Sequence, residues 1–215
     1  MCLSDIIGHQ TTGGDVLLSD IRKSRKDQAE ETKLHIFNTA LKLLDGMGFE
    51  KITIRDIVRT ANVSIGTFYY YYASKLDVFY ETYSLADQYF NDTVEPQLIQ
   101  ETAAARLFCF FDHYALYCSD LTSVTLTSIL FNANNKCFDR NTSTGILRIL
   151  PELISFGQNS GELRTDETPE EIARYFMISV RGLVYDWCTH VGGYALRGAM
   201  RLHVRRLLTG YLRAA

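Results

Sequence analysis

The chain has 215 residues, of which 47% are hydrophobic, 22% charged and 12% aromatic, with a net charge of −3. That balance excludes a disordered, collagenous or disulfide-knot protein and is enough to build one medium domain or two small ones. Residues 20–77 hold ten Lys/Arg against eight Asp/Glu, so the acidic total does not exclude a local phosphate-binding face.

No stretch reaches the roughly 18 unbroken apolar residues of a membrane helix. The opening MCLSDIIGHQTTGGDVLLSD lacks the basic start and apolar block of a secretory signal. A cytoplasmic protein with no membrane partner is expected. The five cysteines, Cys2, Cys109, Cys118, Cys137 and Cys188, are odd in number and contain no CxxC pair. They suggest neither a disulfide framework nor a zinc site. Cys109 and Cys118 read as buried small hydrophobes.

Residues 1–25 are polar and aperiodic and predict a flexible arm. Leu34, Phe37, Leu41 and Leu44 then step at helical spacing, with Ser24 and Asp27 as a cap and Gly46 and Gly48 as the stop. Thr53-x-x-Asp56 predicts a capping box opening a helix of two turns, IRDIVRTA, followed by a turn at Asn62. Ser64 caps a second short helix, IGTFYYYY, and Ser74-x-x-Asp77 a longer one from Lys75. Helices this short must pack as one unit, with Ile57, Val58, Ala61, Val63 and Phe68 as the expected shared core.

Two short capped helices around a tight turn are the pattern of a helix-turn-helix. The second carries hydroxyls at Ser64, Thr67, Tyr69, Tyr70 and Tyr71, groups that can bond phosphate oxygens. At 100° per residue Phe68 and Tyr72 share a face and should pack inward, which leaves Tyr69 and Tyr70 outward. Gly66 costs about 1 kcal/mol against Ala inside a helix, which implies close approach to a duplex or to a neighbouring helix.

The stretch TIRDIVRTANVSIGTFYYYYASKLDVF resembles the DNA-binding signature of TetR-family transcriptional regulators. Thr53, Asp56, Ile57, Ala61, Val63, Ser64, Gly66, Thr67, Phe68, Tyr69, Tyr71 and Lys75 stand at the family's spacing. The preceding ETKLHIFNTALKLLDGMGFEKI fits too. Val58 and Asn62 depart from the usual Ala and Gly. The resemblance implies an all-α protein of about nine helices. A helix-turn-helix head would occupy residues 26–74, with its motif at 53–72. A helical body, residues 75–215, would bind an effector and form the homodimer. The resemblance further implies phosphate contacts from Thr53, Tyr69, Tyr71 and Lys75. Ile65, Thr67 and Tyr70 would face base edges or thymine methyls, with Ser64 on the same hydroxyl face. Arg55 joins them on chemistry alone, because it follows the capped end of the first motif helix.

Beyond the head the periodicity predicts helices at 75–92, 102–118, 121–133, 143–159, 169–191 and 196–213, with Pro151 kinking or breaking the fourth. Thr168-Pro169-Glu170-Glu171 marks the clearest start. It leads into the stripe Ile172, Phe176, Val180, Leu183, Trp187 and Val191. ARLFCFFDHYALYC is apolar nearly all round and should be central, with Asp112 and His113 either on a solvent edge or bonded to each other. Tyr83, Phe90, Phe111, His113, Tyr114, Phe131 and Phe176 are the candidates to line an effector pocket. The last two helices, 169–191 and 196–213, are the expected dimer interface, with Arg197, Arg201 and Arg205 as a solvated flank.

The expected partners are double-stranded operator DNA, a second copy and a small-molecule effector, acting together as a repressor released by that effector. No hydrolase, metallopeptidase or nucleotide-binding motif occurs, and the five histidines form no metal-ligand pair. No enzyme activity, cofactor or metal is therefore expected. The alternatives are a helical enzyme whose site forms only in three dimensions, or a protein-interaction module with an aromatic groove.

Overall fold

The computed structural model describes residues 24–131 and 145–213. The expected arm lies outside these residues except for Ser24 and Arg25. So do Cys2, Cys137, the end of the expected helix 121–133 and the first residues of 143–159. Two compact units divide at Thr82/Tyr83, inside a helix that continues through the boundary.

The first unit contains α1 (Arg25–Met47), α2 (Ile54–Thr60), α3 (Ile65–Tyr71) and the start of α4 (Lys75–Tyr89). α1 begins with a full capping box in which the Ser24 hydroxyl accepts from Asp27 N and the Asp27 carboxylate accepts from Ser24 N, both at 3.1 Å. It ends at Gly48, whose φ of 76° is accessible to glycine at little cost. Ile36, Phe37, Ala40 and Leu44 form its inner face, and Ile57, Phe68, Tyr72, Val78 and Phe79 are buried with them. Of the expected shared core, Val58 and Val63 are only half-buried.

Polar ties fix this small core. His35 Nε2 donates to the Ala61 carbonyl at 3.1 Å, and the Tyr72 hydroxyl donates to the Lys33 carbonyl at 3.0 Å. Lys33 also pairs with Glu81 at 2.6 Å, joining the start of α4 to α1.

The second unit is built around α5 (Ala103–Leu116), with α6 (Val124–Leu130), α7 (Gly145–Asn159), α8 (Pro169–Thr189) and α9 (Leu196–Thr209). α4 and α5 both run on into a π turn, Phe90–Val94 and Tyr117–Leu121. α5 packs against α7 and α9, and α8 against α6, α7 and α9. Phe90, Phe110, Phe111 and Phe176 are fully buried, and the Phe111 and Phe176 rings stack 5.7 Å apart.

The loop after α7 is fastened to the chain end. Leu163 and Leu212 form an antiparallel bridge, Arg164 N donates to the Tyr211 carbonyl, and Arg213 N donates to the Glu162 carbonyl. The Glu162 carboxylate meanwhile accepts from Ala103 N at 2.9 Å, placing a negative charge at the N-terminus of α5.

Three expectations for the body are corrected. α7 is not broken at Pro151, the second of the two outcomes expected there, although Pro151 lacks the N–H that would bond the Leu147 carbonyl. Burial of Ile149, Leu150, Leu153 and Ile154 on the helix offsets that loss. Val191 lies beyond the end of α8, 79% exposed and at φ 52°, so it is not part of the buried stripe. Cys118 is buried, but Cys109 is only half-buried.

Candidate nucleic-acid interface

The motif is constructed by its caps. The Thr53 hydroxyl accepts from Asp56 N at 3.2 Å while the Asp56 carboxylate accepts from Thr53 N at 3.1 Å, so α2 starts where the sequence predicts. The same carboxylate accepts from the Thr53 hydroxyl at 2.6 Å and from Arg59 at 2.9 Å. These bonds, Thr53 foremost, hold the Asp56 carboxyl below the usual carboxylate range. Asn62 takes the left-handed conformation, φ 53°, that reverses the chain. Ser64 then caps α3 by accepting from Thr67 N at 2.9 Å.

The motif thereby presents an outer face. Phe68 and Tyr72 are buried, whereas Ile65 is 51% exposed, Tyr69 54% and Tyr70 79%. Ser64 is exposed and Thr67 half-buried, their hydroxyls 2.8 Å apart. Tyr71 is half-buried, its ring 4.8 Å from that of Tyr70 in an edge-to-face contact. Thr53 and Arg55 are exposed on α2 and its cap.

Lys75 is more constrained than the sequence suggests. Its ammonium donates to the Phe49 carbonyl at 2.8 Å and the Ile52 carbonyl at 3.0 Å, and lies 4.1 Å from the centre of the Phe49 ring. Two of its three donors therefore close the Gly48–Ile52 corner. A tie to carbonyls more than twenty positions upstream leaves no local pattern to find.

A Cβ on Gly66 would meet only Ser64 Oγ, at 3.6 Å, an ordinary contact, and the residue is exposed. No neighbouring helix requires the glycine.

In the body, Asp112 and His113 do not bond each other. The Asp112 carboxylate accepts from Arg197 at 2.5 Å and from Arg201 at 2.9 Å, so two of the three arginines expected as a solvated flank tie α9 to α5. Burial pushes the Asp112 carboxyl up, but the two guanidinium bonds outweigh it and the net shift is downward. His113 Nδ1 lies 2.6 Å from the Tyr89 hydroxyl. Burial raises that phenol to about 12 and lowers the imidazole.

Tyr83 donates to the Leu130 carbonyl at 3.2 Å, and Tyr114 is buried against Phe90. A groove between α7 and α8 is lined by none of the seven expected effector residues. Among the described residues no group of three or more His, Cys, Asp or Glu could hold a metal ion, and no helix is long and apolar enough to cross a membrane.

Residues 36–82 match the family model described as bacterial regulatory proteins, tetR family. That span contains the capped motif, the αL turn and the buried face of α1. Over that head the chain is similar to tetR-family regulators. Over 65 residues it is 31% identical to the HTH-type transcriptional regulator AcrR of Shigella flexneri, a match covering 30% of each chain. The full-length likeness is structural. FadR of Thermus thermophilus, a TetR-family transcriptional repressor solved in complex with lauroyl-CoA, is 25% identical and superposes with a TM-score of 0.64, over 85% of this chain and 96% of that one. A TetR-family regulator from Pectobacterium atrosepticum gives 0.69 at 16% identity, over 89% of this chain and 99% of that one, which shows shared fold alone.

Proposed function

We propose that this chain is a tetR-family regulator: a cytoplasmic, homodimeric, sequence-specific DNA-binding repressor released from its operator by a small molecule. The observation that carries the DNA-binding reading is the outer face of α3. A Cβ on Gly66 would make only an ordinary contact, with Ser64 Oγ, and the residue sits among exposed Ser64, Ile65, Tyr69 and Tyr70. A helix gives up about 1 kcal/mol for such a glycine. Nothing inside the head requires it, and close approach of a duplex would account for it. Tyrosine and serine hydroxyls suit phosphate oxygens, and Ile65 with the Tyr70 ring suits thymine methyls in a major groove. Thr53, Tyr71 and Arg55 extend the phosphate contacts, and Lys75 offers its remaining proton.

The same reasoning supports the dimer. Tyr175, Ile178 and Tyr185 are 50%, 58% and 57% exposed on α8, and Leu202 is 47% exposed on α9. Tyr175, Ile178, Gly182 and Tyr185 are spaced 3, 4 and 3 apart, so they share one helical face. Gly182 and Gly198 are exposed, and a Cβ on either would meet nothing within 4 Å. A partner packing closely over this face accounts for both. Two heads so joined would read major grooves one helical turn, about 34 Å, apart. An effector held in the body would act by shifting α4, the helix that leads from the head, and so altering that separation. The repressor sign follows the FadR likeness.

The test is titration of labelled duplex against the full chain at two salt concentrations. The wild type should bind specific duplex with a steep salt dependence. A Tyr69→Ala/Tyr70→Ala variant should lose that specificity while keeping its thermal transition. Unchanged specificity would remove α3 from recognition.

A further inference from the structure

Lys33, in the first half of α1, holds two other helices at once. Its carbonyl accepts from the Tyr72 hydroxyl at 3.0 Å, and its ammonium pairs with the Glu81 carboxylate at 2.6 Å. Tyr72 is the residue at which α3 ends, its N–H on the Phe68 carbonyl at 2.9 Å, and Glu81 lies on α4. The short connection from α3 to α4 is pinned in turn, because the Asp77 carboxylate accepts from Ala73 N at 3.0 Å. The C-terminal end of α3 is thus fixed from two sides, by α1 through Lys33 and by α4 through Asp77.

Neither Tyr72 nor Glu81 belongs to the outer face. Tyr72 is 3% exposed and the Glu81 side chain 12%. Phenylalanine would supply the same apolar ring, which packs 5.9 Å from that of Phe68. The hydroxyl adds no burial and must be satisfied where it stands. It bonds a carbonyl inside α1, taking the lone pair that the helix itself leaves over. What the bond adds is direction. Burial, with the Glu81 and Asp77 charges, holds the phenol well above its ordinary range, so it remains a donor. The half-buried Lys33–Glu81 pair likewise contributes little net stability and fixes geometry.

We propose that Tyr72 and Glu81 are positioning residues for base readout, acting through Lys33 to set the tilt of α3 against α1. The seven residues of α3 span about 10 Å, so a displacement of about 1 Å at the Tyr72 end turns the helix by about 6°. Directional contacts from Ile65, Thr67 and Tyr70 to base edges weaken steeply with such a turn, whereas phosphate contacts from flexible side chains adapt to it. The two residues therefore govern discrimination between sequences and not the gross attraction to a duplex. The role rests on the reading of α3 as the helix that meets the duplex, and it assigns sequence preference to side chains that touch no DNA.

The probes are three labelled duplexes: the sequence that the wild-type chain enriches from a random pool, the same duplex with one half-site base pair changed, and an unrelated duplex. Each is titrated by fluorescence anisotropy with the full chain at two salt concentrations. Tyr72→Phe should lower the affinity ratio of the first duplex to the second about fivefold, the equivalent of one hydrogen bond. Affinity for the unrelated duplex and its salt slope should keep their wild-type values. Lys33→Met should lower the same ratio, and Lys33→Arg should restore it, since a guanidinium keeps the pair with Glu81. Tyr72→Phe combined with Glu81→Gln should lose little more than the larger single change, because both act through one residue.

Unchanged ratios in Tyr72→Phe and Lys33→Met, beside a wild type that discriminates, overturn the positioning role and leave the reading of α3 intact. So does a loss equal for all three duplexes, the mark of a role in stability alone. A Lys33→Arg chain that discriminates no better than Lys33→Met, or fully additive losses in the double variant, has the same meaning. If the wild-type chain enriches no sequence, the reading of α3 falls and the positioning role falls with it.

Discussion

Replacing Gly66 with alanine separates the needs of the fold from the needs of recognition. The added Cβ would lie 3.6 Å from Ser64 Oγ and within 4 Å of nothing else, and the residue is exposed in the first turn of α3. The folded head therefore bears no steric cost. Alanine removes unfolded-state freedom and improves helix propensity, together about 0.5–1 kcal/mol. In a chain of this size that raises the melting temperature by about 1–4 °C. At a duplex the same methyl occupies space reserved for close approach, and overpacking of a well-fitted surface costs about 1–3 kcal/mol, roughly 5- to 150-fold in affinity. Calorimetry and fluorescence anisotropy on the same preparation read both quantities. Gly66→Ala should be at least as stable as wild type and bind specific duplex more weakly. A destabilised variant would show that the head itself needs the glycine. A variant with unchanged affinity would show that nothing approaches there.

Arg55→Ala should reduce the salt slope of duplex binding by about 0.9 without moving the thermal transition, the loss of one phosphate contact. Lys75→Ala should do both, because the ammonium also bonds the Phe49 and Ile52 carbonyls; about 1–3 kcal/mol of head stability should go with it in a denaturant titration. Gly157→Ala would place a Cβ 2.6 Å from Leu163 Cδ1 and 2.7 Å from Ala103 Cβ, so it should destabilise the body by about 1–3 kcal/mol in the same assay. Asp112 has a carboxyl pKa held below its ordinary value by Arg197 and Arg201 in spite of burial. Its contribution to stability is complete above the ordinary carboxylate range and is lost as pH falls through the depressed folded value. Asp112→Asn should therefore lower stability at pH 7 and flatten the acid limb of the stability curve; a limb that keeps its slope would assign that titration elsewhere.

What was readable from the sequence follows the range of the interactions. The Ser24, Thr53, Ser64 and Thr168 caps each join residues three apart, so hydroxyl and acid spacing announces the helix start. The burial of Phe68 and Tyr72 and the exposure of Tyr69 and Tyr70 follow from 100° per residue. Ties across the chain left no such mark. Arg197 and Arg201 read as a periodic solvent-facing row because Asp112 is more than eighty positions away. The two donors that Lys75 spends on the corner at Gly48–Ile52 were equally hidden. Val191 continues an apolar pattern, but α8 has already ended at Thr189 and the αL turn takes the residue outward. The groove between α7 and α8 depends on how two amphipathic faces meet, and each face alone reads as core with a charged rim.

The central claim is that the α3 face reads duplex DNA in sequence-specific fashion, and selection of bound duplexes from a random pool tests it most directly. The full chain should enrich a palindrome whose half-sites lie about one helical turn apart, bound with a strong salt dependence and lost in the Tyr69→Ala/Tyr70→Ala variant. A pool that emerges without any enriched sequence, retained only by weak binding that disappears as salt is raised, would contradict it.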